Sequence, residues 1–163
     1  MYMKSLTDMS LVVAQLLKQR GETVAVAETS TGGLISSALL AVPGASAYYK
    51  GGSVIYTLES RRELLGINRS QVEGLEPMTE AMALRFAEVA RAQLKVTWSI
   101  AELGIAGPTG APYGVDAGTS VIAVDGPQPM TITVATGSRD REENMWAFSA
   151  AAFQLFGRAL AIR

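Results

Sequence analysis

Apolar residues recur at helical spacing in some stretches of this chain and run nearly unbroken through others. Met9, Val12, Val13, Leu16 and Leu17 share one face of a helix over residues 7–20, which Ser5 or Thr7 caps and Gly21 ends. Thr23-Val24-Ala25-Val26-Ala27 is small and β-branched, the pattern of a buried strand at 23–28. Helical spacing returns near 33–41, and Pro43-Gly44 stops it. Gly52-Ser53-Val54-Ile55-Tyr56-Thr57 predicts a second strand, and 58–65 a short helix ended by Gly66. Thr79 caps a long helix through Lys95, with Met82, Phe86, Val89 and Ala90 inward and Arg85, Glu88 and Arg91 toward water. Residues 98–103 predict a third strand. A Gly/Pro-rich loop over 104–118 follows, then strands at 119–124 and 130–135 around Asp125-Gly126-Pro127, which read as a hairpin. The last helix starts near 138–140 and buries Met145, Phe148, Ala152, Leu155 or Phe156, and Ala159.

Strands alternating with helices favour parallel pairing, and the late hairpin adds an antiparallel pair. The predicted architecture is a three-layer α/β/α sandwich on a five-stranded mixed, mostly parallel sheet. It forms a single domain over residues 1–163, long enough for a sizeable core.

Composition narrows the chemistry more than the fold. Hydrophobic residues make up 48% of the chain and charged ones 18%, a globular balance. The net charge of −1 gives no bulk attraction to nucleic acid or an anionic membrane, so neither is expected as a partner. Without cysteine there is no disulfide, thiolate nucleophile or thiolate metal site. Without histidine there is no Ser-His-Asp triad and no imidazole base or metal ligand. No carboxylate cluster suited to a divalent ion is visible, so no metal and no cofactor is expected. A catalyst here has to use hydroxyls, carboxylates, tyrosine, lysine or arginine. No apolar run approaches the roughly 20 residues that span a bilayer. The N-terminus has no signal-peptide hydrophobic block, and a cytoplasmic location is the expectation.

Open α/β sheets gather ligands at the carboxyl ends of their strands. Three segments leave such ends: 29–33, 57–62 and 103–114. In the first, Glu28-Thr29-Ser30-Thr31-Gly32-Gly33 precedes a helix. Its opening would aim free backbone N–H groups at a ligand, and the glycines would let that backbone approach closely. By itself it reads first as an ordinary strand-to-helix connection with a Ser/Thr cap. In the third, Gly104-Ile105-Ala106-Gly107-Pro108-Thr109-Gly110 specifies a tight path that could cradle a phosphate or serve as a rigid turn. It is neither a P-loop nor a dinucleotide fingerprint, because no lysine follows and the glycine spacing differs. Glu28 and Glu102 both sit near strand ends. Each is a base if burial raises its pKa, or a carboxylate that holds the turn.

Taken in order, Glu28–Gly33, Val42-Pro43-Gly44-Ala45-Ser46, Gly52-Ser53-Val54-Ile55-Tyr56, Leu64-Leu65-Gly66 and Gly104–Gly110 resemble the C-terminal domain family of the competence/damage-inducible protein CinA, from about residue 9 to 160. The family includes nicotinamide mononucleotide deamidases, which hydrolyse the ring carboxamide to nicotinate mononucleotide and ammonia. The resemblance implies a small-molecule nucleotide as partner, a homo-oligomer with self-contact through Ala-rich helices and an exposed Trp146, and a stand-alone form of the domain. It places Ser46, Thr29 and Ser30 as candidate catalytic hydroxyls. It places Glu28, Thr31, Gly32, Gly33, Tyr56, Arg61, Gly104, Ala106, Gly107, Thr109 and Arg139 as candidate substrate-binding residues.

The departures from the family pattern bear on mechanism. Thr29 and Ser30 replace the usual Ser and Cys, Ala45 replaces a Ser, Leu103 replaces a Thr or Ser, and Arg61 replaces a Lys. The family's deamidases pair a serine nucleophile with that lysine. A buried lysine can lose its proton and accept the hydroxyl's, whereas a guanidinium stays protonated. Lys50 falls at a variable position and is not a replacement base. The implied activity is a nicotinamide-nucleotide amidohydrolase; the alternative is a nucleotide-binding regulatory protein without turnover.

Overall fold

The computed structural model describes residues 5–162. The elements run α1 (Leu6–Arg20), β1 (Val24–Glu28), α2 (Leu34–Leu40), β2 (Tyr49–Val54), α3 (Leu58–Leu65), α4 (Glu80–Leu94), β3 (Trp98–Ile105), β4 (Thr119–Asp125), β5 (Met130–Ala135) and α5 (Arg141–Ala161), with short 3-10 turns at Ala45–Ala47 and Arg69–Val72. The five strands form one sheet in the order β2-β1-β3-β4-β5. β1 pairs in parallel with β2 and β3, whereas β3–β4 and β4–β5 are antiparallel. Parallel and antiparallel pairs are thus equal in number, a correction to the mostly parallel expectation. No helix lies between β3 and β4, so the chain turns straight back.

Most helix ends follow from local chemistry. The Ser5 hydroxyl caps α1, Thr57 caps α3, Thr79 caps α4 and Asp140 caps α5. Gly21 and Gly66 end α1 and α3 in the left-handed conformation. The Glu80 carboxylate, in the first turn of α4, accepts from the Thr131 and Thr133 hydroxyls of β5, and these bonds hold it below its ordinary pKa. α4 is thereby tied to an edge strand.

Alternation along the strands sorts side chains to two faces. Val24, Val26, Ile100, Ile122 and Val124 lie under α1, α2 and α5, with Trp98 edge-on to Phe156 at 5.5 Å between ring centres. On the other face Ala27, Ala101 and Ala123 meet Ala83, Ala87 and Ala90 of α4. Small residues on both sides let α4 lie close to the sheet, and the Ser99 hydroxyl donates to the Ala87 carbonyl across that contact. Each fully buried Leu, Ile or Phe of these cores contributes about 1.5–3 kcal/mol.

Two strand limits differ from the sequence reading. β2 begins at Tyr49 and ends at Val54, earlier than the predicted 52–57. Gly52, inside the strand, is needed there: a Cβ would sit 2.8 Å from the Val26 carbonyl oxygen and 2.9 Å from the Tyr49 hydroxyl. β3 continues to Ile105 because antiparallel pairing to β4 persists through Ile105 and Thr119. Trp146, expected to be exposed, is half-buried, in a groove between α1 and α5. Among the described residues no helix is long and apolar enough to cross a membrane, and no group of His, Cys, Asp and Glu could hold a metal ion.

Candidate functional site

Glu28 and Glu102 stand side by side in register on β1 and β3, both fully buried. The Glu28 Oε1 accepts from the Thr31 hydroxyl at 2.7 Å, Gly33 N at 2.9 Å and Ile35 N at 3.1 Å, and its Oε2 accepts from Ser36 N at 3.0 Å. α2 has no cap from its own N-cap residue, Gly33, so Glu28 caps it from the strand below. The Glu102 Oε2 accepts from Thr29 N at 2.9 Å and Thr31 N at 3.2 Å, and lies 3.0 Å from the Thr31 hydroxyl oxygen. Its Oε1 lies 2.5 Å from the Ser30 hydroxyl. Burial pushes the Glu102 carboxyl above its ordinary pKa, with the bonds from Ser30, Thr29 and Thr31 acting the other way.

Both carboxyls therefore hold the turn, the second of the two roles open from sequence. The expectation of free N–H groups at the mouth of α2 is corrected. Thr31 N bonds Glu102, Gly32 N bonds the Thr29 carbonyl, Gly33 N bonds Glu28, Leu34 N bonds the Thr31 carbonyl, and Ile35 N and Ser36 N bond Glu28. An internal carboxylate occupies the place where an external anion would bind.

Above this turn the carboxyl ends of β1, β2 and β3 converge. Ile55 N bonds the Glu28 carbonyl at 2.9 Å, and Gly104 N bonds the Thr29 hydroxyl oxygen at 3.2 Å, which leaves that hydroxyl's own proton uncommitted by this bond. Gly104 lacks a side chain for a plain steric reason: a Cβ would lie 2.2 Å from the Ser30 hydroxyl oxygen and 2.5 Å from the Glu102 Oε1. The first turns of α5 hold the glycine-rich loop. The Asn144 side-chain amide donates to the Ala106 carbonyl at 2.8 Å and the Ser138 carbonyl at 2.9 Å. Arg141 donates from one terminal nitrogen to the Gly107 carbonyl and from the other to the Tyr56 hydroxyl at 3.0 Å, bridging two of the converging segments.

Beside this bridge a cavity of about 260 Å³ opens between α3, α4 and β3. Arg61, Phe86, Leu103, Tyr113 and Arg69 line it, and no acidic residue does. The Arg61 Nε donates to the Ile55 carbonyl over a long 3.4 Å, and the guanidinium lies 5.3 Å from the centre of the Phe86 ring. Burial lowers the Arg61 pKa, opposed by Tyr113 and by Glu102 through space. A guanidinium remains charged even so.

With this geometry in view, comparison with known proteins is decisive at the level of family. The family model for the CinA C-terminal domain matches residues 6–160. The chain belongs to the CinA C-terminal domain family. It is 35% identical over 154 residues to a CinA-like protein of Thermosynechococcus vestitus, covering 93% of this chain and 37% of that protein. To a CinA-like protein of Fervidobacterium nodosum it is 33% identical over 153 residues, covering 94% and 38%. The chain thus spans little more than a third of the length of these relatives. Among solved structures it is similar to a competence-damaged protein (CinA) superfamily protein of Klebsiella pneumoniae, with TM-score 0.89 and 26% identity over 98% of this chain and 100% of that one. A CinA superfamily protein of Escherichia coli gives TM-score 0.84 and 25% identity over 93% and 88%.

Within this CinA domain, Glu28, Thr29, Ser30, Thr31, Gly32, Gly33, Tyr56, Arg61, Gly104, Ala106 and Gly107 come together at one end of the sheet. Thr109 is exposed on the loop beyond them. Ser46 does not join them. It lies in the 3-10 turn before β2, and β2 starts beside Val24 at the opposite end of β1, so within one chain Ser46 cannot share a substrate with Thr29. Arg139 is exposed and reaches the loop through its backbone carbonyl, 3.0 Å from where a Gly107 Cβ would sit. The arginine whose side chain links the loop to Tyr56 is Arg141. Asp140 caps α5, which puts Arg139 before the helix and Arg141 in its first turn; that spacing was present in the sequence. Asn144, Phe86 and Tyr113 were not foreseen as site residues.

Proposed function

We propose that this CinA domain binds a nicotinamide-type mononucleotide in the crevice between the 29–33 turn, α3 and the 104–118 loop, and does so without hydrolysing the carboxamide. The observation that carries the reading is Arg61. It lies in the cavity, on Phe86, at the position where the family pattern has the lysine partner of the nucleophile. It supplies positive charge and donors for a ligand but no acceptor for a hydroxyl proton. Leu103 adds an apolar wall where the pattern has a hydroxyl.

Hydrolysis is a second reading, supported by the Ser30–Glu102 contact of 2.5 Å, a hydroxyl beside a carboxyl able to take its proton. Against it, Ser30 is packed under Gly104 and is only 6% exposed. Calorimetry and an ammonia assay with nicotinamide mononucleotide separate the two. Binding heat with no ammonia above blank is expected, as is a gain of ammonia release in Arg61→Lys combined with Leu103→Thr. Multiple turnovers by the native chain, abolished in Ser30→Ala, would establish the second reading instead.

A further inference from the structure

We propose that the Arg61 cavity selects a flat aromatic ring bearing a carboxylate over the same ring bearing a carboxamide. The inference rests on the nucleotide-site reading for where the ligand sits, but its grounds are the charges and donors of the cavity itself.

Arg61 is a partly desolvated cation without a carboxylate on it. The ion pairs among the described residues are Arg62–Glu63, Arg85–Glu88 and Arg91–Asp125, and none involves Arg61. Its Nε reaches the Ile55 carbonyl, whereas its two terminal nitrogens have no hydrogen-bond partner among the described residues. The carboxyl that acts on it through space, Glu102, gives its own oxygens to the 29–31 turn. Arg69 adds a second cation to the lining, and no acidic side chain offsets the pair. A desolvated cation gains most from an anion brought into the same low-dielectric space.

The donor inventory then separates acid from amide. A guanidinium has only donors. Its two free nitrogens match the two oxygens of a carboxylate, giving parallel charge-assisted bonds. A carboxamide offers one oxygen to that fork and turns an NH₂ group toward its surroundings. Leu103, Phe86 and Met82 carry no acceptor for it; Tyr113 and Asn68 supply only neutral ones, which return less to the amide than the guanidinium charge gives the acid. Phe86 and Leu103 provide walls for a ring, and about 260 Å³ has room for a single ring and its acid group. The same residue that removes the base for amide hydrolysis therefore turns the cavity toward the hydrolysed form.

Calorimetry on the full native chain tests this with nicotinate mononucleotide, nicotinamide mononucleotide and free nicotinate as probes. The acid nucleotide is expected to bind at least about tenfold more tightly than the amide. Arg61→Lys, which keeps the charge and loses the fork, is expected to shrink that ratio to a few-fold at unchanged fold stability. Amide binding equal to or tighter than acid overturns the selectivity and leaves the nucleotide site intact. Binding of free nicotinate without either nucleotide removes the nucleotide reading and keeps the carboxylate preference. No binding by any of the three removes both.

Discussion

Glu102 provides the sharpest test of how the site is built. The Thr31 hydroxyl has one proton and lies 2.7 Å from a Glu28 oxygen and 3.0 Å from the Glu102 Oε2, so it cannot donate to both. Oε2 already receives two backbone N–H groups, while Oε1 meets only Ser30. Ser30 donates to Oε1 as it stands; burial raises this carboxyl's pKa, and in the neutral form so favoured a proton on Oε1 turns that bond round, donating to the Ser30 hydroxyl oxygen. Glu102→Gln then reproduces the neutral form, with its carbonyl oxygen at Oε2 and its NH₂ toward Ser30. Its stability should equal the native chain's within about 0.5 kcal/mol at low pH. Because the folded chain holds the Glu102 proton more tightly than the unfolded chain, native stability is full below the unfolded carboxyl's pKa and falls as pH rises toward the folded one. The gap in favour of Glu102→Gln should widen by about 1.4 kcal/mol per pH unit above about 4.3, and level off beyond the folded pKa. Glu102→Ala, by contrast, strands the buried Thr31 N–H, leaves Thr29 N only its bond to the residue-102 backbone carbonyl, and opens a void. It should cost about 4 kcal/mol, or roughly 8–16 °C in Tm. Urea unfolding of the three proteins from pH 4 to 9 measures all of this. A gap between native and Glu102→Gln that stays constant with pH would mean that Glu102 is ionised throughout, and the network above would be wrong.

The close packing at Gly104 predicts that Gly104→Ala loses about 3 kcal/mol, read by the same unfolding, because its Cβ would fall 2.2 Å from the Ser30 oxygen and 2.9 Å from Phe148. Native-like stability would show that the Ser30–Glu102 pair shifts aside freely. Arg141→Met should cost only about 1 kcal/mol, yet speed amide exchange across residues 106–118, since Arg141 links Gly107 to Tyr56. Unchanged exchange there would mean that Asn144 alone holds the loop.

The features legible in the sequence were those with local causes. Ser5, Thr79 and Gly21 mark helix ends through bonds to neighbours a few residues away, so spacing alone located α1 and α4. The bounds of β2 were misplaced because its start is set by pairing to Val24 and its Gly52 by close approach to the Val26 carbonyl, contacts with a distant strand that no local pattern records. Arg61 was found as a departure from a family pattern, but its meaning depends on Phe86 and Tyr113, brought from distant segments. Ser46 shows a limit of another kind. A motif gave it a role, and parallel topology puts the segment between α2 and β2 at the amino end of the sheet, apart from the Thr29 turn of the same chain.

The two buried carboxyls close the 29–36 turn to the backbone contacts that a ligand would otherwise make there. A glycine-bearing turn that opens a helix ordinarily offers its N–H groups to an anion. Here every N–H from Thr31 to Ser36 is already bonded, with Glu28 and Glu102 taking four of them. That arrangement makes the turn rigid and electrically complete, and it removes the backbone as a phosphate cradle at this point. The positive charge available to a ligand is therefore carried by Arg61 and Arg69 in the cavity, with Arg141 committed to the loop. Charge held on side chains can be changed one residue at a time without disturbing the sheet. On the reading proposed above, a change at position 61 alone can alter what the crevice binds without altering the fold.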